Sequence, residues 1–143
     1  MALKMFKYII LILVLTSSCS LEEKKKLNIL KEAEHLKIQY NWNTCCAGYV
    51  ESQIELIRND NERYLIKYSG DTNQEIIEFP KEKDLVLSEF LSSCFESNDP
   101  NRDHHNPCNG AEDRDYEISS GNIKLIFSPG AEAQDLFNEL MTE

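Results

Sequence analysis

Between residues 96 and 114 the chain runs ESNDPNRDHHNPCNGAEDR, a stretch with almost no apolar side chain that gathers most of the groups able to do chemistry. Asp99, Asn101 and Asp103 stand at alternate positions, where their oxygens can converge on a hard cation such as calcium. His104 and His105 precede Cys108 at a spacing that zinc accepts, and Cys45 and Cys46 would complete a set of imidazole and thiolate donors. A thiolate beside a histidine base is also the minimal pair for nucleophilic attack, given a free thiol. Sulfur oxidation state therefore decides among these chemistries, because a disulfide consumes the same thiols.

The same residues place obstacles in front of each reading. The alternating acids resemble the start of an EF-hand calcium loop, but His104 stands where the sharp turn needs glycine and Gly110 where the bidentate glutamate belongs. Glu112 and Asp113 arrive two and three places late. No G-x-S-x-G or H-E-x-x-H occurs, and the five glycines leave few backbone cradles for a phosphate or cofactor. His35 has no acidic or cysteine neighbours in sequence that would make a ligand set and reads as a surface residue. The expectation is a protein that is not an enzyme and carries no cofactor. Its alternative is a metal-binding or hydrolytic enzyme using the 99–113 loop.

Location is written in the first twenty residues, MALKMFKYIILILVLTSSCS. Lys4 and Lys7 form a basic head, Tyr8 to Leu15 an apolar run too short to span a bilayer, and Thr16 to Ser18 a strip of small residues before Cys19. This layout resembles a bacterial lipoprotein signal peptide, with Thr16 standing where a leucine is usual. The resemblance covers residues 1–19 only. It implies removal of residues 1–18, acylation of Cys19, and anchorage in the cell envelope, with the outer membrane the expected layer. Glu22 and Glu23 look like the acidic export tag of some surface-displayed lipoproteins. Residues 19–35 are then a lipidated tether, in which Leu27, Leu30, Ala33 and Leu36 recur at helical spacing, the mark of a short amphipathic helix that packs on the domain.

Removing Lys4 and Lys7 with the leader leaves 13 basic residues against 25 acidic ones, a net charge of −12. Such a surface disfavours nucleic acid and stands off from anionic lipid heads, and its electrostatic complement is a basic protein. Besides Cys19 four cysteines remain: Cys45, Cys46, Cys94 and Cys108. In an exported chain an even number is read first as disulfides, and the strain of bridging neighbours favours the two arrangements that join Cys45 and Cys46 separately to Cys94 and Cys108. Each bridge would close a loop of about 50 to 60 residues and contribute on the order of 4 kcal/mol.

The elements that would position these groups follow from periodicity. Leu36, Ile38, Tyr40 and Trp42 alternate with polar residues as in a half-buried strand. A hairpin is expected over 50–69 with Ile54 and Leu56 inward and NDNE at 59–62 as its turn, followed by a short strand at 75–79. From 81 to 95 the period becomes helical, with Phe90, Leu87, Leu91 and Cys94 on the apolar side. A second hairpin should place Tyr116 and Ile118 opposite Leu125 and Phe127, and Ser128 with Pro129 should start a closing helix. Tyr40, Trp42 and Tyr49 are expected to pack against the bridges. The sum is one α+β domain over 36–143: a mainly antiparallel sheet, meander plus hairpin, with two packed helices and disulfide bracing. Its expected role is a binding or interaction module, one form of which is an inhibitor or immunity protein capping a basic partner.

Overall fold

Leu36 and Ile38, separated by a lysine, are fully buried on one side of β1 (His35–Thr44), a ten-residue strand that becomes one of the two central strands of the sheet. The computed structural model describes residues 21–44, 48–69, 73–99 and 113–142. β2 (Gly48–Arg58), β3 (Arg63–Ser69) and β4 (Asn73–Glu78) follow β1 as an antiparallel meander. β5 (Asp113–Ser120) and β6 (Ile123–Phe127) form a hairpin that pairs with the other side of β1. The result is a six-stranded sheet of order β4-β3-β2-β1-β5-β6, antiparallel at every junction.

Turn chemistry fixes the registers. Asn59 Oδ1 accepts hydrogen bonds from the amides of Asn61 and Glu62, at 2.9 and 2.8 Å, and its own amide donates to the Glu62 carbonyl at 3.0 Å, which together close the β2–β3 turn. Gly121, at φ +57°, is the first residue of the two-residue β5–β6 turn, where a side chain would be strained. That turn sets Tyr116 opposite Phe127 and Ile118 opposite Leu125, the pairing the alternation implies.

Three helices among the described residues cover one face of the sheet. Residues 21–32 form α1, Lys83–Glu96 α2 and Ala131–Met141 α3. Leu27 and Leu30, then Leu87, Phe90, Leu91 and Cys94, then Ala133, Phe137 and Leu140, meet the inward side chains of the strands in a single core. Phe90, Tyr116, Phe137 and Tyr40 form its aromatic centre, with ring centroids 4.8 to 6.4 Å apart and mostly edge-to-face geometry. The expected α+β class with its antiparallel sheet is what the chain adopts.

Three expectations differ from this structure. Among the described residues the helix count is three and not two, because the helix that the spacing of Leu27 and Leu30 implies for the tether is part of the domain and puts both residues in the core. The closing helix begins at Ala131 with Gly130 as its N-cap; Ser128 instead donates its hydroxyl to Asp115 Oδ1 at 2.6 Å and Pro129 is buried before the helix starts. The disulfide bracing is absent among the described residues. Cys94, the one cysteine among them, is a free thiol fully buried on α2, and burial pushes that thiol well above its ordinary pKa. It packs as a small apolar side chain.

Candidate functional site

Charged side chains at one end of the sheet are consumed in holding the helices. The Arg58 guanidinium, with 9% of its side chain exposed, donates from Nε to the carbonyl of Ala33 at 2.7 Å and from Nη2 to that of Lys31, capping the end of α1. Its Nη1 reaches Asp84 Oδ1 at 3.2 Å, in the first turn of α2, and Arg63 Nη2 reaches the same oxygen at 2.6 Å. Arg63 also donates to the Phe79 carbonyl and lies over the Phe79 ring. Lys67 Nζ donates to the carbonyl of Met141 at 2.8 Å and Lys83 Nζ to that of Leu140 at 3.2 Å, closing the end of α3. These contacts are structural.

The groups singled out in the polar loop are mostly outside the described residues: Asn101, Asp103, His104, His105 and Cys108, and with them Cys45, Cys46 and Cys19. Asp99 is described. It is exposed, and its amide donates to the Ser128 carbonyl at 3.1 Å, while Asn98 Oδ1 accepts from the Ser128 amide at 2.8 Å. Both bonds pin the chain where it leaves α2. Among the described residues no three His, Cys, Asp or Glu side chains gather in a way that could hold a metal ion. A groove of about 560 Å³ lies between α2 and α3, lined by Ser88, Glu89, Ser92, Glu96, Glu132 and Leu136. Ser92, its central hydroxyl, already donates to the Ser88 carbonyl and accepts from Lys31.

The second face of the sheet is different in kind. No helix or strand of the described chain covers it, and alternation places Gln53, Glu55 and Ile57 of β2, Tyr64, Ile66 and Tyr68 of β3, and Ile76 of β4 side by side upon it. Ile57 stands opposite Tyr64, Glu55 opposite Ile66 and Gln53 opposite Tyr68, while Ile66 stands opposite Ile76. Ile76 is 67% exposed; the other apolar members are half-buried against one another. At the centre of this patch Glu55, with 25% of its side chain exposed, accepts from Gln53 Nε2 at 3.0 Å and from the Tyr68 hydroxyl at 3.1 Å. His35 Nε2 lies 4.0 Å from the same carboxylate and is exposed, as expected. Partial burial, then the bond to Glu55, raises the Tyr68 phenol above its ordinary pKa.

The hairpin expected over 50–69 does not by itself reveal that Tyr64, Ile66 and Tyr68 form a surface with Glu55. The signal was present: β2 to β4 carry large apolar residues at both parities, whereas a half-buried strand needs them at one. No family model matches the chain, and no curated protein matches it. Geometry therefore carries the functional argument.

Proposed function

We propose that this chain is a bacterial cell-envelope lipoprotein, held in the outer membrane through acylated Cys19, whose α+β domain is a non-catalytic module that binds another protein. The observation carrying the binding half is the uncovered Ile and Tyr patch on β2–β4, since contiguous apolar surface beyond scattered single residues marks an interaction site. Aromatic residues ringed by polar ones are the usual composition of such an interface. The envelope half rests on the signal layout of residues 1–19 and on the gain of about 0.8 kcal/mol per buried acyl CH₂. An acidic total, −10 for the full chain, supports the narrower form in which the partner is basic, as for an inhibitor or immunity protein.

Intact mass spectrometry of the protein from its native membrane tests the anchor. The expected species begins at Cys19 and carries added hydrocarbon mass; a different start, or no added mass, overturns it. Cys19→Ala should then move the protein out of the membrane fraction with an unchanged circular dichroism spectrum. For the binding half, a photo-reactive residue at Ile76 in cells should yield one discrete adduct, and its absence at full expression would sink the module reading. The enzymatic alternative rests on the 99–113 loop, and stoichiometric zinc or calcium in the purified chain would favour it.

A further inference from the structure

Resting on the binding-module reading, we infer that the open face takes a cationic side chain of its protein partner, an arginine or lysine, onto Glu55 between the rings of Tyr64 and Tyr68. Glu55 and Asp84 show why. Asp84 is spent on two guanidinium groups of its own chain, whereas the partners holding Glu55 are an amide and a phenol, which orient the carboxylate without cancelling its charge. Among the described residues His35 alone lies within ion-pairing distance of it, at 4.0 Å and with 60% of its side chain exposed, where solvent screens the contact.

The surroundings suit a cation with a long apolar stem. Ile66 lies directly across from Glu55 on β3, and Tyr64 and Tyr68 flank Ile66 at the next positions on the same face. Aromatic faces attract guanidinium and ammonium groups, and half-buried isoleucines cover methylene stems. By register Lys37 of β1 stands directly across from Glu55 without an ion pair forming between them, and with Glu117 and Lys124 satisfying each other at 2.6 Å, Glu55, Glu78 and Asp115 face Lys37 on this side of the sheet. A flat surface spread over three strands fits a protein segment and lacks the concavity that encloses a small molecule. An arginine seated beside aromatic rings and paired to a desolvated carboxylate is the composition of an interface hot spot.

The test uses the full chain in neutral detergent micelles, with isoleucine methyl groups labelled for NMR, titrated with Nα-acetylarginine amide and separately with its neutral isostere Nα-acetylcitrulline amide. Signals of Ile57, Ile66 and Ile76 are expected to shift with the arginine probe and stay still with citrulline, while those of the core residues Ile38 and Ile54 do not move and report that the fold is intact. Glu55→Gln, which keeps the shape and the core signals, should weaken the arginine response about tenfold or more. Equal shifts with citrulline, no shift at all, or an undiminished response in Glu55→Gln would each overturn the inference. Sequencing the adduct formed at Ile76 separates the two levels of argument: a partner joined through an arginine- or lysine-bearing segment supports the cationic anchor, whereas a neutral or acidic segment, or a second copy of this chain, overturns it and leaves the module reading standing.

Discussion

The two faces of the sheet are made by the same strands at opposite parity, yet they obey different rules. On the helix side the buried strand residues, from Leu36 to Phe127, share one core with residues of α1, α2 and α3, and the charges at its rim, Arg58, Arg63, Lys67 and Lys83, are tied to helix ends. On the open side the apolar residues stand across from one another with no described helix over them, and Glu55 is oriented by neutral donors. The lesson is that burial alone does not separate core from site. What separates them is whether a group's interactions close within the chain. Asp84 is closed, by two arginines; Glu55 is not.

That contrast breaks if substitutions on the two faces act alike. Phe90→Ala, at the centre of the aromatic cluster, should cost roughly 3–5 kcal/mol in denaturant unfolding, the usual range for a large core ring. Arg58→Met should cost about 2 kcal/mol, because it strips donors from the Lys31 and Ala33 carbonyls at the end of α1 and one from Asp84. Amide exchange across residues 21–32 should rise with it, and an unchanged exchange pattern would mean that α1 docks without this cap. Ile66→Ala on the open side should change stability by under about 1 kcal/mol, as surface substitutions do, while lowering adduct yield from position 76. A cost as large as that of Phe90→Ala would show that the open face is core.

Titration sharpens the same comparison from the covered side. Burial raises the Cys94 thiol and the Tyr116 phenol above their ordinary values of 9.0 and 10.0, so the unfolded chain releases these protons first. Their contribution to stability is therefore complete below about pH 9 and declines as pH rises beyond it, by at most about 1.4 kcal/mol per pH unit for each group. Urea midpoints on either side of that pH measure the decline, which Cys94→Ala should reduce. In native protein Cys94 should also resist a thiol reagent until the chain is unfolded. Ready modification of Cys94 in the folded state would contradict its burial.

Much of the fold was legible because strand and helix periods are local properties. The alternation in 36–42, the NDNE turn, the switch to a helical period after Pro80 and the Tyr116–Phe127 register all follow from neighbours in sequence, and the structure keeps them. The α+β class belongs to the same local reading. Other features were decided only in three dimensions. The helix of Leu27 and Leu30 is legible from their spacing, but its tie to the sheet is not, since Arg58, some 25 residues away, reaches the Ala33 carbonyl. Ser128 leaves its capping role because Asn98 and Asp115 claim it, and Cys94 sits among apolar side chains as a free thiol. The sequence by itself determined which residues alternate and where the chain turns, since those depend on backbone preference and side-chain period. Only the tertiary structure decided which face the helices would cover, and so left Glu55 oriented and charged on the other. Helix docking depends on long-range partners that no local window contains.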